Sequence, residues 1–130
     1  MCIRDRVKDL AELADEQFVE TYEVNVFSAF RIIKAALPHL QPGSTIVTTA
    51  SLETYMASEE RVDYASTKAA INNLSKGIAQ QLAPKGIRVN TVAPGPTWTA
   101  LQVSGGIPVE EEKGYGEETP LGRALSLIHI

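Results

Sequence analysis

The sequence predicts an α/β fold in which a parallel sheet is built from βαβ units. Two long stretches with the apolar periodicity of a helix alternate with two short runs rich in β-branched residues, all within residues 15–92. Each β-branched run follows a turn that contains proline and glycine. Helices and strands that alternate at this spacing belong to βαβ units, whose crossover connections make the strands parallel.

Residues 15–40 predict one long helix. Apolar side chains recur there at steps of three and four residues, which places them on one helical face. They are Phe18, Tyr22, Val26, Phe30, Ile33 and Leu37. Asp15 is the expected N-cap, and Pro38 falls near the end. We expect the apolar stripe to be the face that packs in the core.

Residues 44–50 and 87–92 predict two strands. The first reads Ser-Thr-Ile-Val-Thr-Thr-Ala and the second reads Ile-Arg-Val-Asn-Thr-Val, and short β-branched runs of this kind favour a strand. Ligands of open parallel sheets bind at the carboxyl ends of the strands. Because Ser51 and Pro94 follow those ends, we expect a functional site there.

Residues 63–82 predict a second helix. Its apolar stripe consists of Ile71, Leu74, Ile78 and Leu82. Residues 51–62 and 97–120 have no clear period and are predicted to be loops. The second loop is rich in glycine, proline and glutamate, and a loop of that length is usually a functional lid or a mobile segment.

Composition excludes several classes of protein. The chain has 130 residues, of which 44% are hydrophobic and 22% charged, as expected for one small globular domain. Its net charge of −4 argues against nucleic acid as a partner. No apolar run reaches the roughly 18 residues that span a bilayer, so we expect a cytoplasmic protein with no membrane partner. Cys2 is the only cysteine, which excludes an internal disulfide, and we expect no metal site.

The two ends of the chain, residues 1–6 and 125–130, match no helix or strand pattern around them. Their sequences can be encoded by opposite strands of one inverted DNA repeat, which resembles the transposase adapter used to prepare sequencing libraries. Our hypothesis is that both ends derive from that adapter and that the natural part is residues 7–124. The alternative is a natural terminus at each end.

Tyr64 and Lys68 are the residues that most directly indicate chemistry. At positions i and i+4 of the predicted helix, they project from the same face. A free tyrosine has a pKa of about 10, and a cation beside the ring favours the phenolate. Lowering that pKa by about 3 units takes roughly 4 kcal/mol. The alternative interpretation is an amphipathic surface pair whose ring lies on the core.

Other polar residues accompany this pair in a set order. Asn25 lies in the first predicted helix, Ser51 follows the first strand, and Asn90 leads into the segment Pro-Gly-Pro-Thr-Trp-Thr at 94–99. The ordered set resembles the classical short-chain dehydrogenases/reductases, and the resemblance covers residues 7–124. The sequence around both strands is similar to the sequences of bacterial general-stress oxidoreductases and NADP-dependent aldehyde reductases.

The resemblance implies a role for each catalytic residue. Tyr64 exchanges a proton with the substrate oxygen while hydride passes to or from a nicotinamide. Lys68 lowers the pKa of Tyr64 and holds the nicotinamide ribose. Ser51 binds and polarises the substrate carbonyl oxygen. Asn25 holds a water that links Lys68 to solvent.

The resemblance also implies a nicotinamide cofactor, NAD or NADP, and favours NADP. Besides the tyrosine and the lysine, Pro94 and Gly95 pack against the nicotinamide, and Thr97 and Thr99 bind the cofactor. Thr97 stands where the family has isoleucine or valine. We expect its backbone contact to survive with weaker packing on the ring.

The implied fold is a Rossmann-like doubly wound parallel sheet whose N-terminal half and C-terminal end are missing from residues 7–124. The glycine-rich dinucleotide fingerprint belongs to the upstream half of such a fold. We expect the longer protein to be an oxidoreductase of a small carbonyl or alcohol substrate and a homotetramer or homodimer, and the 130-residue chain alone to be inactive. Two alternatives stay open: a non-catalytic nucleotide-binding module, and an enzyme of 3-oxoacyl reductase or sugar dehydrogenase type.

Overall fold

The computed structural model describes residues 9–100 and 114–127. The chain divides into two compact units, Met1–Ala93 and Pro94–Ile130. The first unit combines helices with a two-stranded parallel sheet, and the second contains a short parallel pair of strands. This alternation of helices and parallel strands confirms the predicted α/β class. Within the described ranges, no helix has the length and apolar composition needed to cross a membrane.

The long helix predicted for residues 15–40 forms in consecutive parts. They are α1 (Asp15–Tyr22), a π-helical segment (Glu23–Phe27), α2 (Ser28–Ala36) and a 3₁₀ turn (Leu37–His39). The expected N-cap is wrong, because Ala14 takes that position. Asp15 lies instead in the first turn, where its carboxylate meets the positive end of the helix dipole.

The packing face of the long helix differs from the predicted apolar stripe. Phe18 and Phe30 are 37% and 46% exposed, whereas Ile33 is buried as expected. Thr21, outside the stripe, is fully buried, and its hydroxyl donates a 2.8 Å hydrogen bond to Asp63. The apolar period correctly predicts a helix, but it does not reveal which face meets a neighbour.

The two predicted strands pair in parallel. β1 covers Thr45–Thr49 and β2 covers Arg88–Val92, each within a residue of its predicted bounds. In the register of the pair, Thr45 lies opposite Arg88 and Thr49 lies opposite Val92. The carboxyl ends of the two strands therefore meet at one edge of the sheet.

Helix α3, Val62–Leu82, connects the strands and packs against them. Its buried side chains include Ile71 and Ser75 of the sheet-facing side. The Ser75 hydroxyl lies 2.8 Å from that of Thr48 on β1, which in turn lies 2.9 Å from that of Thr91 on β2. Because these three hydroxyls join α3 to both strands, they fix where the helix lies along the sheet.

In the second unit, β3 (Thr97–Trp98) pairs in parallel with β4 (Leu125–Ser126). The prediction of a loop from residue 97 is therefore wrong at its start, and Leu125 and Ser126 form a strand although the sequence there shows no strand pattern. Such short strands depend on a distant partner, as in the 2.8 Å bond from Leu125 N to Pro96 O, and leave no local pattern. Residues 1–6, and 101–113 of the predicted loop, lie outside the described residues.

Thr21→Val should destabilise the full-length protein. The substitution keeps the shape of the side chain but removes the hydroxyl that donates to Asp63, a residue only 3% exposed. Loss of a donor to a buried polar group costs about 1–3 kcal/mol, and more when the acceptor is charged. Denaturant unfolding measures the change. Thr21→Ser, which keeps the hydroxyl, is the control, and equal stability of the valine variant and the wild type would contradict the argument.

Candidate active site

Ser51 lies two residues beyond the end of β1 and caps a short 3₁₀ turn, Leu52–Thr54. Its Oγ accepts a 3.2 Å hydrogen bond from the backbone N–H of Glu53, and its own backbone N–H donates to Thr54. A serine oxygen that already accepts from the protein can direct its own proton toward a ligand. The turn thus orients Ser51 as a hydrogen-bond donor.

Tyr64 and Lys68 lie one turn apart near the start of α3, and both are half-buried. Lys68 Nζ is 5.4 Å from the centroid of the Tyr64 ring. This distance is within the range of a cation–π contact. The predicted shared face is confirmed, and a positive charge is held beside the phenol.

Lys68 is also tied to the sheet. Its Nζ donates a 3.0 Å hydrogen bond to the backbone carbonyl of Thr49, the last residue of β1. The ammonium group is therefore held at the carboxyl end of the strand, where the sequence predicts a site. Ser51 follows the same strand end.

Asn25 lies within the π-helical segment and faces α3. Its side-chain amide donates a 3.1 Å hydrogen bond to the Thr67 hydroxyl, which donates a 2.7 Å bond to the backbone carbonyl of Tyr64. Thr67 is fully buried. Thr67 therefore connects the Asn25 side chain to the backbone of Tyr64, the residue that carries the phenol.

A cavity of about 380 Å³ lies beside β1. Apolar side chains of the long helix and α3 and the residues of β1 form most of its wall, and the lining includes Asn25 and Lys68. Small-molecule sites are commonly cavities of this size with few polar groups. Two of the predicted site residues, Asn25 and Lys68, therefore line the same cavity.

The predicted cofactor-binding residues that follow β2 belong to the second unit. Thr97 Oγ1 donates a 3.0 Å hydrogen bond to the Gly95 carbonyl, so this hydroxyl closes a turn around Pro96. Apart from Gly95 and its two neighbours in the chain, no described residue has an atom within 4 Å of the point where a Cβ would stand at Gly95. A flat ligand could approach the backbone closely there. Pro94 and Thr99 are half-buried on either side of this turn.

Several residues that organise the site escaped the sequence analysis. Asp63 and Thr67 each precede a predicted catalytic residue by one position, and Thr21 lies four residues before the predicted Asn25, the same spacing. The matched spacing of four, on two helices, was an available signal. These side chains are polar, so the apolar periodicity that predicts a core face does not include them.

Comparison with known proteins gives consistent results. A family profile described as enoyl-(acyl carrier protein) reductase matches residues 2–130. The uncharacterized oxidoreductase YghA of Escherichia coli is 50% identical over 118 residues, which are 91% of this chain and 40% of that protein. The chloroplastic NADPH-dependent aldehyde reductase 1 of Arabidopsis thaliana is 40% identical over 121 residues, which are 93% of this chain and 42% of that protein.

A solved structure agrees with these relatives. The short-chain dehydrogenase/reductase of glucose/ribitol dehydrogenase type from Brucella melitensis has a TM-score of 0.76 and 33% identity. The similarity covers 93% of this chain and 46% of that chain. The present chain thus spans less than half the length of each of these three proteins.

Proposed function

The chain belongs to the short-chain dehydrogenase/reductase family of oxidoreductases, and from this premise we propose that the full-length protein transfers hydride between NAD(P) and a small carbonyl or alcohol substrate. One observation carries the proposal. The Lys68 ammonium lies 5.4 Å from the Tyr64 ring centroid, at the strand end that Ser51 follows. A phenol held beside a cation is suited to exchange a proton with a substrate oxygen.

Tyr64 is the proposed proton donor in the reducing direction and the proton acceptor in the oxidising direction. Proton transfer from the phenol leaves negative charge on its oxygen, and the Lys68 ammonium stabilises that charge. Because both side chains are half-buried, water screens this attraction less than it would at a fully exposed surface. The same ammonium is our proposed contact to the ribose of the cofactor.

Ser51 is the proposed donor that holds the substrate oxygen. Since its Oγ already accepts the Glu53 N–H, its proton can be directed at a carbonyl oxygen and polarise that bond. Asn25 is the proposed holder of a water that exchanges protons between Lys68 and solvent. Its position in a π-helical segment supports this role, because such segments are frequent at functional sites.

A nicotinamide cofactor suits the residues present. The space at the Cβ position of Gly95 is open, and the cavity lined by Lys68 has the size of a small-molecule site. When bound, the cofactor supplies or accepts the hydride. We assign its contacts to Tyr64 and Lys68 of α3 and to four residues after β2, namely Pro94, Gly95, Thr97 and Thr99. The plant relative named as NADPH-dependent supports NADP over NAD.

The full-length protein tests the proposal directly. With NADPH or NADH and a panel of small aldehydes and 3-oxoacyl esters, or with NADP⁺ or NAD⁺ and a panel of sugars, it should interconvert the two forms of the cofactor with at least one substrate class. The class accepted distinguishes an aldehyde reductase from a sugar dehydrogenase or a 3-oxoacyl reductase. Cofactor binding without turnover on any class would instead support a non-catalytic nucleotide-binding module.

Tyr64→Phe should remove most turnover in the full-length enzyme while retaining cofactor binding. The variant keeps the ring beside Lys68 but has no proton to exchange, and general acid–base catalysis contributes about 10² to 10⁴-fold. Steady-state kcat and calorimetric cofactor binding measure the two effects. Retention of more than about a tenth of the wild-type kcat, against that range, would overturn the assigned role.

Lys68→Met should lower both kcat and cofactor affinity, because the ammonium serves the phenol and the ribose. Lys76→Met is the matched control, since Lys76 is an exposed lysine of the same helix. We expect the control to match the wild type in both measurements. An unchanged cofactor dissociation constant in Lys68→Met would remove the ribose contact from the proposal.

We further propose that the full-length protein is a homodimer or homotetramer whose interface includes the exposed aromatic strip of the long helix. Phe18 and Tyr22 stack with ring centroids 5.0 Å apart, and Phe27 and Phe30 are 41% and 46% exposed. Two-fold contacts are the commonest symmetric interfaces. Light scattering should give a multiple of the monomer mass, and Phe30→Glu should reduce it. A monomeric wild type would contradict the proposal.

A further inference from the structure

The connection between β1 and α3, residues 50–61, has a proposed catalytic group near each end. Ser51 lies near its start, and Tyr64 follows it on the first turn of α3. The middle of the connection is open to solvent, with Tyr55 and Met56 69% and 70% exposed. The first turn of the connection, Leu52–Thr54, contacts α3, whereas its exposed middle adds little packing between the two ends.

An ion pair closes the connection. Arg61 Nη2 lies 2.8 Å from Glu53 Oε1, and the two side chains are 24% and 13% exposed. The pair between Arg31 and Glu23, by contrast, is 64% and 43% exposed. Exposed pairs contribute little, whereas a pair held away from water depends strongly on both partners.

Each partner of this ion pair also forms a backbone hydrogen bond with a segment that carries a proposed catalytic residue. The Glu53 backbone N–H donates to Ser51 Oγ at 3.2 Å. Arg61 is the residue before α3, and its carbonyl accepts a 2.8 Å bond from Ala65 N in the turn that carries Tyr64. The ion pair therefore joins the support of the serine hydroxyl to the support of the phenol.

We propose that Glu53 and Arg61 are positioning residues that hold Ser51 Oγ and the Tyr64 phenol at the spacing needed to reach one substrate oxygen. The inference rests on the proposed hydride transfer and extends it to the connection. Two donors that converge on a single atom tolerate little displacement, since a shift of about 1 Å can cost about 10²-fold in rate. Without the ion pair, the contact between the turn Leu52–Thr54 and α3 would hold the two supports less firmly.

The first test uses the full-length enzyme. Glu53→Gln should lower kcat about 10- to 100-fold, in line with a displacement of up to about 1 Å, and leave the cofactor dissociation constant unchanged. Glu59→Gln is the matched control, because Glu59 is an exposed carboxylate of the same connection. It should match the wild type within about twofold, the range expected of a surface change. Equal kcat for the two variants would overturn the inference.

A double-mutant cycle separates positioning from a general loss of structure. If Glu53 acts through Ser51, Glu53→Gln should have little further effect on kcat in a Ser51→Ala background. An undiminished loss in that background would show that Glu53 does not act through the serine, and the inference would fail. Arg61→Lys, which keeps the charge, should retain more activity than Arg61→Met.

Hydrogen exchange provides a readout that does not depend on turnover. In Glu53→Gln, amides of residues 51–61 should exchange faster than in the wild type, and those of Glu59→Gln should not. Unchanged exchange in Glu53→Gln would overturn the inference. A wild-type enzyme that binds cofactor but turns over none of the substrates would reject the proposed function itself, a result distinct from an active enzyme indifferent to Glu53→Gln.

Discussion

Thr21 donates a hydrogen bond to Asp63, and Asn25 donates one to Thr67 a helical turn further on. Both bonds join residues 42 positions apart, so the long helix and α3 run in the same direction with their turns level. Tyr64 follows the acceptor of the first bond by one residue, and Lys68 follows that of the second. The positions of the phenol and the ammonium relative to Asn25 depend on this pair of contacts.

Contacts with the sheet hold α3 from a second direction. The hydroxyls of Thr48, Ser75 and Thr91 form a buried cluster between α3 and both strands, and Lys68 bonds to the carbonyl of Thr49 at the end of β1. A helix held by polar contacts on two sides has little freedom to slide or rotate, because directed hydrogen bonds tolerate only small changes of geometry. Apolar packing alone would allow more adjustment. The polar contacts therefore place Tyr64 and Lys68, and burial of apolar side chains supports the elements that carry them.

The same arrangement explains why the aromatic side chains of the long helix are exposed. The helix contacts α3 through Thr21 and Asn25, so Phe18 and Phe30 point elsewhere and are 37% and 46% exposed. Exposed aromatic side chains in a row are typical of a surface that another protein covers. The long helix thus has a polar face toward α3 and an exposed apolar face.

The sequence by itself determined the α/β class, both strands to within a residue and the shared face of Tyr64 and Lys68, because each depends on local periodicity or on spacing along one helix. It also predicted a site at the carboxyl ends of the strands, which Ser51 and Pro94 follow, since ligands of parallel sheets bind there. Only the tertiary structure decided that Thr21 rather than Phe18 faces α3, that Glu53 pairs with Arg61, and that Leu125 and Ser126 form a strand. These features are contacts made across the fold or across an irregular connection. The apolar periodicity along the chain does not encode such contacts, so they form only once the elements have packed.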